Sequence, residues 1–64
     1  MDKEIGLIIP AYNAHDTIQR LLHSISIFNF VNKIKICIID DYSDLNYNYL
    51  INKFDNLDIT ILVN

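Results

Sequence analysis

Glycine, proline and cysteine each occur once in this chain of 64 residues, and tryptophan is absent. A single cysteine excludes an intramolecular disulfide, and no Cys/His cluster suggests a structural metal. A single glycine, Gly6, excludes both a phosphate-cradling P-loop and a G-x-G-x-x-G dinucleotide fingerprint. Cations are also scarce: five Lys and Arg stand against eight Asp and Glu, for a net charge of -3. That balance argues against a nucleic-acid partner, whose binding depends on neutralising phosphates. The lysines (Lys3, Lys33, Lys35, Lys53) are scattered rather than massed. No apolar run approaches the ~20 residues of a membrane span. Met1-Asp2-Lys3-Glu4 lacks the basic-then-apolar pattern of a secretory signal, so the expected location is cytoplasmic.

Apolar residues, by contrast, make up 52% of the chain, which is rich for its length. A core this small rarely supplies more than about 3–5 kcal/mol. The excess implies surface that is hidden elsewhere, either in a homo-oligomer or in the remainder of a larger fold. Residues 1–64 therefore read as a single partial domain. Cys37 sits inside an apolar run and reads as a buried structural thiol rather than a nucleophile.

The periodicity predicts a βαβαβ order. Ile5 to Ile9 is a nearly continuous apolar run, as in a strand covered on both faces. Gly6 within it suggests a close approach by another backbone, and strand pairing should stop at Pro10, which has no N–H to give. Ile18, Leu21, Leu22 and Ile25 repeat at helical spacing and predict a helix over about 15–28, with Gln19, Arg20 and His23 on its outer face. Asn29 to Lys33 reads as a turn with Phe28 and Phe30 packed beneath it. Ile34 to Ile39 is a second strand dense in β-branched residues. Ser43 or Asp44 then caps a second helix whose apolar stripe is Tyr47, Leu50, Ile51 and Phe54. Asp55-Asn56 ends that helix, and Ile59 to Val63 forms a third strand. The fold class expected is α/β, a three-stranded parallel sheet of order 3-2-1 and half of a doubly wound fold. The open edge of the first strand is a template for self-association.

Chemistry concentrates where the first two strands end. In such sheets ligands bind beyond the carboxyl ends of the strands, and neighbouring strands lie about 4.8 Å apart. Tyr12 after the first strand and Asp41 after the second would then reach one planar ligand. Tyrosine offers a flat face for a heterocycle. A carboxylate only accepts hydrogen bonds, so it suits the imino N–H of uracil or guanine and finds no such donor on adenine's ring. Each residue also has a plainer reading: Tyr12 as a half-buried aromatic at a strand end, and Asp40-Asp41 as a turn with a helix cap. Asp40 suits a loop-holding role, accepting backbone N–H bonds, and His15 belongs to the helix start. Asp40 and Asp41 could also take a hard cation, though adjacent residues at a strand end usually diverge.

Ile8-Ile9-Pro10-Ala11-Tyr12-Asn13, a helix ending near Ser24-Ile25, and Ile38-Ile39-Asp40-Asp41-x-Ser43 together resemble the start of the family 2 glycosyltransferases. Those enzymes have the Rossmann-like GT-A fold and use nucleotide-diphosphate sugars. The resemblance implies that Pro10, Ala11, Tyr12 and Asn13, with Asp40 and Asp41, line the nucleotide site. Tyr12 packs on the base, and Asp41 accepts its imino hydrogen. The donor implied is a UDP- or GDP-sugar, and the reaction is attack of an acceptor hydroxyl on the anomeric carbon with inversion. The family's D-x-D motif, which holds Mg2+ or Mn2+ on the diphosphate, has no counterpart in these residues, nor do its catalytic base and acceptor subsite. The resemblance therefore implies no catalytic or metal-ligating residue here, and an inactive segment by itself. A full-length protein of this kind is cytoplasmic or peripheral to the membrane. Two positions depart from the family pattern. Tyr42 replaces a small residue, often Gly or Asn, and Asp44 replaces a frequent threonine or serine. The competing expectation is a free-standing α/β interaction or oligomerisation module that binds no nucleotide.

Overall fold

The computed structural model describes residues 4–64, so the reading of Met1-Asp2-Lys3 lies outside the described residues. Three strands, β1 (Ile5–Ala11), β2 (Ile34–Asp40) and β3 (Asp58–Val63), alternate with two helices, α1 (His15–Ser26) and α2 (Tyr49–Lys53). The sheet is parallel with β2 in the middle and β1 and β3 at its edges. Register pairs Ile9 with Ile38 and Ile38 with Ile61, and at the carboxyl end Ala11 with Asp40 and Asp40 with Val63.

One hydrophobic core holds the layers together. Ile18, Leu22 and Ile25 of α1, at helical spacing, meet Ile9 and Ala11 of β1 and Ile34, Ile36 and Ile38 of β2. Tyr47, Leu50, Phe54, Leu57 and Ile59 complete it. Every buried strand residue in that core belongs to one face of the sheet. On the other face Ile8 is 67% and Leu62 53% exposed, and Cys37 and Ile39 are partly exposed. The expectation that β1 is covered on both faces is thus corrected, and Cys37 is not the fully buried thiol expected. Both helices pack against the same face, which leaves the opposite one to solvent.

Several local expectations are also corrected. β1 does not stop at Pro10 but continues through Ala11, whose carbonyl accepts from the Asp41 N–H at 2.8 Å. Alternate residues of a parallel strand direct their N–H groups to opposite sides. Ala11 faces β2, so Pro10 turns its missing donor to the open edge, where proline is tolerated. Gly6 marks no close approach, because a Cβ there would meet nothing within 4 Å. Helix α1 ends at Ser26, whose carbonyl accepts from the Asn56 side chain at 3.1 Å. Leu21 of its predicted apolar face is exposed. Phe28 and Phe30 are exposed rather than packed, and Val31, entering a 3₁₀ turn over Val31–Lys33, packs on the core instead. Among the described residues no helix is long and apolar enough to cross a membrane.

Helix α2 is shorter than its apolar stripe suggests. Neither Ser43 nor Asp44 caps it; it begins at Tyr49 after Asn48, without a side-chain cap, and ends at Lys53, before Asp55-Asn56. Ile51 of the expected stripe is exposed. The cause is competition for hydrogen bonds. Asn46 Oδ1 accepts from the Asn48 N–H at 3.1 Å, an Asx-type turn that holds this stretch out of the helix. Ser43 and Asp44 are engaged elsewhere, in the site described next.

Candidate functional site

The carboxyl ends of β1 and β2 deliver Tyr12 and Asp41 side by side. The last rung pairs Ala11 with Asp40, and the Asp41 N–H closes onto the Ala11 carbonyl. The next residue on each strand is therefore Tyr12 and Asp41, at the same end of the sheet. Tyr12 is 63% exposed rather than half-buried, and Asp41 is exposed as well. Neither side chain is committed to the core.

Asp40 behaves differently from its neighbour. It is 3% exposed, the one buried charged residue among those described, and its Oδ1 accepts from the Ser43 N–H at 2.9 Å. A buried carboxylate needs such partners to offset its lost hydration. Its carboxylate thus anchors the loop after β2, while its backbone carbonyl accepts from the Asn64 N–H at 2.9 Å. Asp40 and Asp41 point to different tasks.

The loops after β1 and β2 are laced together. The Asn13 N–H donates to Ser43 Oγ at 2.9 Å, and the Asp44 N–H donates to Asn13 Oδ1 at 2.8 Å. The Asn13 amide also donates to Asp44 Oδ2 at 3.4 Å. Behind these bonds lies Tyr47, fully buried, whose hydroxyl accepts from the Ala14 N–H at 3.1 Å and pairs with Ser43 Oγ at 3.0 Å. Apolar periodicity identifies Tyr47 as a core residue but does not reveal its hydroxyl as the pin between two loops. Asp44, which reads as a surface charge or cap, is likewise a lacing residue.

Two residues of this region adopt positive φ: Asn13 at 45° and Tyr42 at 59°. Asparagine tolerates that left-handed conformation, whereas a bulky aromatic residue is strained there by roughly 1–2 kcal/mol. Tyr42 is also 73% exposed, so no burial compensates.

A second polar network braces the start of α1 against α2. His15 stacks on Tyr47, with ring centroids 4.1 Å apart and planes 13° from parallel, and on Tyr49 at 5.6 Å. Its Nε2–H donates to the Leu45 carbonyl at 3.0 Å. In the neutral ring Nδ1 is then left to accept, and the Tyr49 hydroxyl lies 2.6 Å away. Gln19 Nε2 donates to that same hydroxyl at 3.3 Å, and Lys53 Nζ donates to Gln19 Oε1. Burial, then the nearby Tyr47 and Asp16, push the Tyr49 phenol above its ordinary value, against the Gln19 bond, which lowers it. His15 thus serves as a structural residue of the helix start.

An open cleft of about 470 Å³ lies beside the lacing, lined by Asn13 to Thr17 and by Asp44 and Leu45. It excludes Tyr12 and Asp41, and Asp16 and Asp44 make it unfavourable for an anion despite the helix N-terminus. Among the described residues no group of three His, Cys, Asp or Glu side chains could hold a metal ion. With one aspartate buried against its loop and the other in solvent, the residues present do not fit Mg2+ or Mn2+ coordination. What the strand ends offer is narrower: an aromatic face, a hydrogen-bond acceptor and a braced loop. Compared with protein-family models, curated proteins and solved structures, the chain gives no match.

Proposed function

We propose that this chain is the nucleoside-binding part of a glycosyltransferase of the family 2, GT-A type, in which the three-stranded sheet is half of a Rossmann-like domain. The observation that carries the reading is the Asp41 N–H to Ala11 carbonyl bond, which sets Tyr12 and Asp41 beside each other at the carboxyl end of the sheet. Tyr12 supplies the stacking face, and Asp41 accepts the imino hydrogen of uracil or guanine. Pro10 and Ala11 carry Tyr12 to the rim, Asn13 ties its loop to the next, and Asp40 holds the Asp41 loop from beneath. The donor is a UDP- or GDP-sugar. The chemistry of transfer, the metal on the diphosphate and the acceptor site belong to residues other than these. Hydrogen bonding and stacking at the base end are this segment's whole contribution.

Isothermal titration with UDP, GDP and ADP tests the reading. Binding of UDP or GDP in preference to ADP is expected, with Asp41→Ala weakening it at least about tenfold, the size of a lost hydrogen bond to a charged group. Equal affinity for ADP, or an Asp41→Ala variant that binds like the parent, would refute it. The open sheet face, with Ile8 and Leu62 exposed, favours a second reading as a small α/β association module without nucleotide. Under that reading the chain oligomerises and none of the three diphosphates binds.

A further inference from the structure

We propose that Tyr42 is the second wall of the base site, so that a flat heterocycle is held between the rings of Tyr12 and Tyr42 with its edge against Asp41. The inference rests on the nucleotide reading above and extends it, since edge recognition by Asp41 needs only one aromatic face. The backbone at position 42 is set from both sides. Before it the Asp41 N–H is bound to the Ala11 carbonyl, and after it the Ser43 N–H is bound to the Asp40 carboxylate. Ser43 Oγ is held in turn by the Asn13 N–H and the Tyr47 hydroxyl. These bonds impose φ 59° on residue 42, a conformation that glycine adopts without strain. A tyrosine there is disfavoured by its backbone and gains nothing from burial, being 73% exposed. A residue strained by its own surroundings and left in solvent belongs to the class that function retains.

The register brings the two residues to the same end of the sheet. Tyr12 stands one position beyond the last rung of β1, and Tyr42 two positions beyond the facing rung of β2. The strands that carry them are about 4.8 Å apart and the two loops leave the sheet side by side. A heterocycle between two rings needs them about 7 Å apart, twice the ~3.5 Å contact distance of carbon atoms. Both side chains are free of the core, at 63% and 73% exposure, so neither is held by packing. The ligand class is a nucleoside with a ring N–H, uridine or guanosine, recognised on two faces and one edge. Phosphate plays no part in the recognition.

The test uses the nucleosides themselves, titrated into ¹⁵N-labelled protein while amide shifts are followed, with melting temperatures measured in parallel. Tyr42→Gly is expected to melt higher than the parent, because the strain is gone, and to bind about tenfold more weakly, the change a lost base–aromatic stack of ordinary strength produces. Tyr42→Phe should bind within a factor of about two of the parent, since the stacking face is kept. Opposite signs in stability and binding are what a merely structural residue would not give. If Tyr42→Gly melts higher yet binds like the parent while Asp41→Asn weakens binding, the second wall is refuted and the nucleotide reading stands. If neither nucleoside shifts any resonance of the parent protein, both fall together. A Tyr42→Gly variant that melts lower would overturn the strain argument on which the proposal is built.

Discussion

At the scale of single residues, this chain obtains its loop geometry from side-chain polar atoms, one of them on a core residue. Tyr47 is the clearest instance. Its ring fills the core beside Leu50, while its hydroxyl accepts the Ala14 N–H and holds Ser43. Removing that oxygen leaves a part-buried N–H without a partner, so Tyr47→Phe should lower stability by about 1–3 kcal/mol. Urea unfolding checks this; an unchanged midpoint would mean that water replaces the hydroxyl at no cost. Tyr49 makes a different prediction. Its phenol is held above the ordinary value of about 10, so the folded state keeps the proton that the unfolded chain has begun to lose. The unfolded state then binds fewer protons, and stability falls as pH rises. The contribution is fully present below pH ~10 and lost as pH climbs through the raised value. Melting curves between neutral and strongly alkaline pH should show a steeper decline for the parent protein than for Tyr49→Phe.

At the scale of elements, the carboxyl ends of β1 and β2 matter more than the helices. The helices place Ile18, Leu22, Ile25 and Leu50 over the sheet and cover one face of it. The strand ends present Tyr12 and Asp41, and the loops beyond them are bonded to each other through Asn13, Ser43 and Asp44. Helix α2 illustrates the priority. Its apolar spacing runs from Tyr47 to Phe54, yet regular helix spans only Tyr49–Lys53, because Ser43 and Asp44 serve the loop and Asn46 turns the chain on Asn48. Sequence periodicity locates the buried side of that stretch well, and it misplaces the helix start for that reason. The Asn13–Asp44 and Ser43–Asn13 bonds join residues some thirty positions apart, and no local pattern announces them.

At the scale of the whole molecule, the sheet is covered on one side only. Ile8 and Leu62 stand exposed on the bare face, beside Cys37 and Ile39, and β1 carries an unpaired edge. Apolar surface of this kind associates, and open strand edges do so as well. Light scattering at micromolar concentration is expected to give a mass above that of one chain, and Ile8→Lys should shift it toward the monomer. A clean monomer for the parent protein would show that the bare face and edge are tolerated in water.

The order of strands and helices along the chain, the buried Ile18, Leu22 and Ile25 of α1 and the positions of Tyr12 and Asp41 at strand ends follow from the sequence alone. Periodicity, a proline and a polar break are local signals, and they act over a few residues. What tertiary structure decided is which strand face is bare, that Pro10 stays within β1, and that Tyr42 is strained. Those outcomes depend on bonds between residues far apart in the chain. The left-handed turn at Tyr42 lies between the Asp41–Ala11 bond that ties two strand ends and the Ser43–Asp40 bond of its own loop.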